Sequence, residues 1–492
     1  MMKIFTLTLA VLSSFGLTCS LHAREPLNFV FFIVDDVSQD DLGCYGHPTL
    51  KTPNIDALAK SGMKFENAYL TTSSCSPSRC SMITGRYPHN TGAPELHVRL
   101  PKAQIRFPKL LRSAGYYTVL SGKNHMFGNK DRAFDKITGG GGPSKSEDWV
   151  EHLQNRPMDK PFFFWFASFD AHRPWTINDR APVYKKDQVV IPPYLVDTEV
   201  TRKDLTGYYH EVSRFDYYVG VVTQELKRQG VLENTLIIVA ADNGRPFPRC
   251  KSRMYDSGIK TPFVVHCPKL IKKPSVTKSL VSTIDVSATC LELAGVKKPA
   301  CVQGQSFVPI LGDPNAEVRE VIFSEHNWHV YKNHERMMRF GNYVYIKNNY
   351  PNQQNLCSES DTYYPAGEEL WKAHAAGKTI SQQQQIFANP CPDEELFDVS
   401  KDPHQFTNLA GDPQYAKQLE KGRDLIEKWT LQTGDSIPQN PTPSRHAPPQ
   451  IVDGKIIPPL KGKKKTPHGE MSGASANAGQ VNHPGPIKLR SE

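Results

Sequence analysis

The apolar residues of this chain gather into short unbroken runs that stop abruptly at charged or polar residues. Residues 27–34 (LNFVFFIV) end at Asp35-Asp36, and residues 162–169 run into Asp170-Ala171-His172-Arg173-Pro174. Residues 117–121 run into Gly122-Lys123-Asn124-His125, residues 236–241 into Asp242-Asn243-Gly244, and residues 262–266 form one more such run. A run with no polar alternation is the pattern of a strand buried on both faces, as in a parallel sheet. Between the runs lie helical patterns. Residues 54–60 follow Pro53 and stop at Gly62, and residues 107–114 stop at Gly115. Over 203–228, Leu205, Tyr209, Val212, Phe215, Val219, Val222 and Leu226 recur at intervals of three and four, and Gly230 closes the helix. Residues 284–294 read as a helix capped by Asp285.

Strands alternating with helices predict an α/β domain with a mostly parallel sheet. Ligands of such sheets bind beyond the carboxyl ends of the strands. The runs that end in acidic, amide, Lys or His residues therefore predict one shared site, built from Asp35, Asp36, Lys123, His125, His172, Asp242 and Asn243.

From about residue 318 the pattern changes. Short strands are predicted at 321–324 and 343–346, Glu395-Leu396-Phe397-Asp398 leads into Asp402-Pro403-His404, and 415–429 looks helical, together a smaller α+β subdomain. After about Gly434 the chain is rich in Pro, Lys, Gly, Asn and Ser and has little apolar periodicity, which predicts a disordered or loosely docked tail. At the other end, Lys3, an apolar stretch over 4–17 and Ser20-Leu21-His22-Ala23 read as a secretory signal. The expected division is 1–23 signal, 24–317 α/β domain, 318–434 α+β subdomain and 435–492 tail. Export places the protein in a periplasm or outside the cell. Cys19 as a lipoprotein cysteine is the alternative, against which stands Gly16 where a Leu is usual.

Composition changes this picture little. The chain has 492 residues, 38% hydrophobic and 22% charged, with a net charge of +9. That charge suits an acidic substrate, but part of it sits in Lys461-Gly462-Lys463-Lys464-Lys465. No nucleic-acid module is evident, and no stretch beyond the signal is long and apolar enough to span a bilayer. The ten cysteines do not fix any pairing, with Cys357–Cys391 a guess. No Asn-x-Ser/Thr acceptor occurs, which favours a bacterial enzyme over a glycosylated lysosomal one.

One stretch concentrates the chemistry: Cys75-Ser76-Pro77-Ser78-Arg79-Cys80-Ser81-Met82-Ile83-Thr84-Gly85-Arg86. Pro77 suits the first turn of a helix, which puts Cys75 just before the helix start, where the macrodipole favours negative charge. Arg79, one turn on, faces the same side. Nucleophile, cation and free amides would form an anion site. From the residues alone, a buried Cys in a turn with Arg79 as a surface cation is the other reading.

The twelve residues resemble the signature of the type I sulfatases, Cys-x-Pro-Ser-Arg-x-x-x-(apolar)-Thr-Gly-Arg, at every fixed position. The resemblance runs from about residue 27 to 429. It implies an alkaline-phosphatase-like sandwich, a large mostly parallel central sheet flanked by helices, plus the smaller C-terminal α+β subdomain. It implies that a separate formylglycine-generating or sulfatase-maturing enzyme oxidises Cys75 to Cα-formylglycine, whose hydrate supplies the nucleophile. Asp35 and Asp36 match the family's calcium-binding Asp pair, and Asp242 and Asn243 its later Asp-Asn pair. With the oxygen at position 75 they make an all-oxygen site suited to Ca²⁺ or Mg²⁺. Taken singly, Asp35-Asp36 also reads as a loop or helix cap, and Asp242-Asn243-Gly244 as a turn. Lys123 and His125 resemble the family's Gly-Lys-(Trp)-His, His172 the His facing the leaving oxygen, and Lys251, four residues before Tyr255, the sulfate-binding Lys. The family mechanism then has the position-75 hydroxyl attack sulfur, Lys123, Lys251 and Arg79 hold the sulfate oxygens, and His172 protonate the leaving group.

Within the family the likeness is to heparan N-sulfatase and its bacterial relatives, carried by Ser74 to Arg79, Asp242-Asn243-Gly244-Arg245-Pro246-Phe247-Pro248 and Glu395-Leu396-Phe397-Asp398. Lys251 stands where those enzymes carry Arg. Lys is a point charge and Arg a fork, so O-sulfate and N-sulfate hydrolysis both stay open. The expected substrate is a sulfated saccharide, with His97, His326 and His329 on the sugar side or as ordinary surface histidines. A phosphatase or phosphonate hydrolase of the same superfamily would carry Thr or Ser and a fuller set of zinc ligands. A non-catalytic glycan-binding relative would have lost Cys75, Lys123, His125 or His172, and all are present.

Overall fold

The computed structural model describes residues 25–128, 131–459, 466–473 and 481–489; the signal, Cys19 and the lysine run at 461–465 lie outside them. The five apolar runs, with three strands the pattern did not show (β2, β4 and β8), form an eight-stranded sheet of β1 (Asn28–Val34), β2 (Met63–Tyr69), β3 (Tyr117–Gly122), β4 (Lys136–Thr138), β5 (Phe162–Ala167), β6 (Thr235–Ala241), β7 (Phe263–His266) and β8 (Ser275–Ser282). The order is β4-β3-β5-β1-β6-β7-β2-β8. Only β7 runs against its neighbours; the other pairings are parallel.

The strands β1, β5, β6 and β7 are buried along their whole length, which is why they carry no polar alternation, whereas β2, β4 and β8 are partly exposed. Val30, Phe32, Val34, Phe164, Phe166, Ile237 and Val239 face one core, packed by the helix Glu199–Arg228 through Leu205, Val212, Phe215, Val219 and Val222. Phe29, Phe31, Ile33, Phe163, Trp165, Leu236 and Ile238 face the other, packed by the helices Cys75–Thr84, Phe107–Ser113 and Asp285–Leu293. The long helix starts four residues before the periodicity predicted, because Thr198 caps it by accepting from the Thr201 N–H at 3.2 Å. Asp285 is not a helix cap. It is the first helical residue, and its carboxylate takes the Ser282 and Gln305 N–H groups and the Arg319 guanidinium.

The C-terminal part forms an antiparallel sheet in the order β12-β11-β10-β9, from β9 (Val321–His326), β10 (Glu335–Phe340), β11 (Tyr343–Asn348) and β12 (Glu394–Asp398). The helix Ala416–Thr433 packs on one face through Leu419, Leu425, Ile426 and Trp429. The other face packs on Tyr69, Met254, Tyr255 and Ile259 of the larger part.

The described stretches of the tail lie against the body. Arg86 donates to the Val481 carbonyl at 2.8 Å, Gln303 to the His483 carbonyl at 2.9 Å, and the Glu320 N–H to the Ile487 carbonyl at 2.7 Å. Composition alone suggested a looser association; what holds these stretches is non-local, these polar contacts together with Ile451, Ile456 and Leu489 packed on the cores, and leaves no periodic trace. The nine described cysteines are all free. The guessed Cys357–Cys391 bridge is therefore not formed: Cys357 Sγ lies 3.0 Å from Ser360 Oγ, and Cys391 Sγ accepts from Asn348. Among the described residues, no helix is long and apolar enough to cross a membrane.

Candidate active site

The carboxyl ends of four adjacent strands, β3, β5, β1 and β6, deliver the site residues to one place. Backbone geometry aims them. Gly122 ends β3 at φ +100°, and a Cβ there would strike the Ala167 carbonyl oxygen of β5. Asp36 and His125 sit in the left-handed region at φ 58° and 53°, conformations that non-glycine residues adopt rarely and that cluster at functional sites.

Cys75 is the first residue of its helix, and Ser74, not Cys75, occupies the cap position. Pro77 falls in the first turn as expected. Ser74 does not cap with its side chain; its Oγ lies 2.6 Å from His329 Nδ1. Cys75 Sγ is buried 3.8 Å from Asp35 Oδ1 and 3.9 Å from Asp36 Oδ1. Burial pushes its thiol well above the ordinary range, so the unmodified cysteine is a protonated, poor nucleophile.

Arg79, one turn on, is wholly buried. Its Nε donates to Asp242 Oδ2 at 2.7 Å and its terminal nitrogen to the Lys123 carbonyl at 2.9 Å. Lys123 Nζ is paired with Asp35, and Lys251 Nζ lies 2.7 Å from the Asp36 carboxylate. Asn243 Nδ2 donates to Asp36 Oδ1 at 2.6 Å. Asp35, wholly buried beside Asp242, is pushed well above the usual carboxylate range. Asp36 is just as buried, but the charges of Lys251 and Lys123 outweigh that and hold it low.

The two histidines are neutral. Burial, then the nearby Lys123, lowers His125 to about 2; burial, then Lys251, lowers His172 to about 3. His172 Nδ1 donates to the Arg173 carbonyl at 2.5 Å, which leaves Nε2 without the proton.

His97 Nδ1 lies 2.8 Å from His125 Nε2, and its N–H donates to Ser76 Oγ at 2.8 Å. His329 is buried beside Ser74 and feels Lys251. His326 is placed differently: its ring is buried in the second sheet, 3.3 Å from Glu335, which also takes Arg253. Pattern reading missed Glu359, buried 3.9 Å from Lys251 Nζ, and Tyr364, raised to about 12 by burial and by Glu359. Both sit in a segment with no periodic signal.

Asp35, Asp36 and Cys75 offer ligand atoms that all lie within 4.8 Å of one another. Asp242 and Asn243 adjoin them, and the buried Asn243 Oδ1 has no hydrogen-bond partner. Converging carboxylates and an unsatisfied amide oxygen are a hard donor set, and they fit a Ca²⁺- or Mg²⁺-type cation.

Residues 27–296 match the family model described as Sulfatase. The chain belongs to the sulfatase family. Residues 250–350 of this sulfatase match a second model, N-sulphoglucosamine sulphohydrolase, C-terminal. An ulvan-active sulfatase of Formosa agariphila is 29% identical over 454 residues, 80% of this chain and 74% of that one. Human N-sulphoglucosamine sulphohydrolase is 29% identical over 497 residues, 90% of this chain and 96% of that one. A solved structure in complex with its substrate D-glucosamine-2-N,6-O-disulfate shares the fold at a TM-score of 0.65 and 19% identity, over 83% of this chain and 98% of that one. The expected alkaline-phosphatase-like sandwich is the fold observed, and the sulfatase hydrolyses sulfate esters.

Proposed function

We propose that this sulfatase is an exported enzyme that removes sulfate from a sulfated saccharide. Formylglycine made from Cys75 by a maturing enzyme, and Ca²⁺ or Mg²⁺ held by Asp35, Asp36, Asp242, Asn243 and position 75, complete the site. The observation that carries this reading is the convergence of Arg79, Lys123 and Lys251 on the buried Cys75–Asp35–Asp36 group. When present, the formylglycine hydrate supplies a hydroxyl nucleophile, and the cation lowers its pKa and shares the sulfate charge.

The chain's own residues do the rest. Lys123 and Lys251 hold the sulfate oxygens as they gain charge, an electrostatic role that is largest in a site closed to water. Arg79 is fixed by Asp242 and keeps the helix start cationic. His125, linked to His97, would orient the hydroxyl at position 75. Burial is the larger cause of the low value of His172, and a sulfate entering beside Lys251 would offset the part that Lys251 adds. The ring would then take a proton from solvent at Nε2 before the S–O or S–N bond breaks and give it to the departing oxygen or nitrogen, returning to the neutral ring.

A second reading is N-sulfate hydrolysis, favoured by the match of residues 250–350 to the N-sulphoglucosamine sulphohydrolase model. Lys251 in place of Arg favours O-sulfate. Sulfate release from N-sulfated glucosamine, O-sulfated glucosamines and the matching phosphate esters separates the readings. Release from O-sulfates alone supports the first, release from N-sulfate alone the second, and release of phosphate in preference to sulfate contradicts both.

A further inference from the structure

The tail segment around 442–445 is laid as a strap over the loop that carries His329. Trp328 Nε1 donates to the Pro443 carbonyl at 2.8 Å, the Lys332 N–H to Ser444 Oγ at 2.9 Å, and the Arg445 N–H to the Val330 carbonyl at 2.7 Å. Thr442 Oγ1 donates to Glu95 at 2.6 Å, and His468 Nδ1 meets the same carboxylate at 2.7 Å. These contacts fix the backbone of Arg445. Its guanidinium lies over the Trp328 ring, 5.1 Å from the centroid.

This arginine is half-buried, its Nε makes no hydrogen bond, and among the described residues no carboxylate pairs with it. Three arginines close in sequence to Cys75, His172 and Lys251 are by contrast committed: Arg79 to Asp242, Arg173 to Asp204 and Arg253 to Glu335. The groups that feel its charge locate it. One is His97, which is bonded to His125, and another is Tyr364, which also feels Lys251 and Asp36. Geometry agrees: its N–H is bonded to the Val330 carbonyl, next to His329, whose Nδ1 lies 2.6 Å from the Oγ of Ser74, the residue before Cys75, so Arg445 is held on the Cys75 side of the strap. A guanidinium that is partly desolvated, stacked on an aromatic ring and unpaired is a prepared receptor for an oxyanion.

We propose that Arg445 is a specificity-determining residue that binds a second anionic substituent, sulfate or carboxylate, of the saccharide whose scissile sulfate lies between Lys123 and Lys251. The inference rests on the saccharide reading above. It assigns a substrate contact to a segment that neither family model covers, since their matches end at residues 296 and 350.

The test is calorimetric binding to the full chain in a Cys75→Ala background, which separates binding from turnover. Three probes are compared: glucosamine 6-O-sulfate, glucosamine 2-N,6-O-disulfate, and a disaccharide of a uronic acid with glucosamine 6-O-sulfate. The expected result is at least a tenfold preference for one or both two-anion probes over the monosulfate. That preference is abolished by Arg445→Ala and partly kept by Arg445→Lys. Preference for the disulfate alone assigns the second group as sulfate, and for the uronate alone as carboxylate. A preference unchanged in Arg445→Ala, or an equal loss of affinity for all probes as expected from a merely loosened strap, overturns the proposal. No binding of any probe by the parent protein overturns the saccharide reading, and the inference with it.

Discussion

Arg79 Nε donates to Asp242 Oδ2 at 2.7 Å, and neither side chain is exposed to solvent. The pair joins the helix that presents Cys75 to the end of β6, so it fixes the position of Cys75 relative to the Asp35 and Asp36 carboxylates. Removing one member leaves a buried charge uncompensated, which costs about 3–5 kcal/mol. Arg79→Ala is expected to lose that much in urea unfolding of the cation-free protein. A loss below about 1 kcal/mol would contradict the structural role.

Lys251 reaches Asp36 and lies near Glu359, with no exposed route for its charge to be replaced by solvent. Lys251→Ala should lower kcat by about 10²–10³. Steady-state kinetics on whichever sulfated sugar is turned over will decide this. Wild-type kcat in the variant would remove Lys251 from the mechanism.

Calcium should stabilise the protein by binding the folded state alone, by about 2.7 kcal/mol at a hundredfold excess over Kd. The thermal midpoint is expected to rise with calcium and fall back with chelator. Asp36→Asn and Asn243→Ala should each shrink that rise. An equal rise in wild type and both variants would place the cation elsewhere.

A pH-dependent term arises away from the site. His89 Nδ1 lies 2.5 Å from Glu325, both wholly buried. Burial disfavours its charge, but Glu325 and Asp435 outweigh burial and raise its pKa above the ordinary value. A histidine raised on folding adds stability that is complete below its unfolded value of about 6.5 and is lost as pH climbs through the folded value. The stability difference between wild type and Glu325→Gln should therefore be larger at pH 5.5 than at pH 9.5. Urea midpoints at the two pH values check this, and the opposite order would show the pair to be uncharged.

The parts of this molecule that the sequence made legible are those governed by local pattern. Continuous apolar runs ended in Asp35, Lys123, His172 and Asp242 because strands buried on both faces must place their polar chemistry at their ends. β10 was illegible for the converse reason. Its sequence, Glu-Arg-Met-Met-Arg-Phe, is fully buried, yet three of its residues are charged and take partners remote in sequence: Arg253, Asp435 and Tyr69. Glu359 and Tyr364 were illegible as well, because they lie in a single 3-10 turn and the turn before the helix Pro365–Ala375, too short to leave a periodic pattern. His326 was misleading because a histidine beside the sugar and one buried against Glu335 look alike in sequence.

The central claim is that Cys75, once converted, carries the chemistry. The most direct measurement is sulfate release by protein preparations that differ in the fraction of position 75 converted, read by peptide mass and set by co-expression with or without a maturing enzyme. The account predicts that the rate per mole of protein rises in proportion to that fraction and vanishes in Cys75→Ala. Sulfate release at full rate from protein whose position 75 is unmodified cysteine would contradict it.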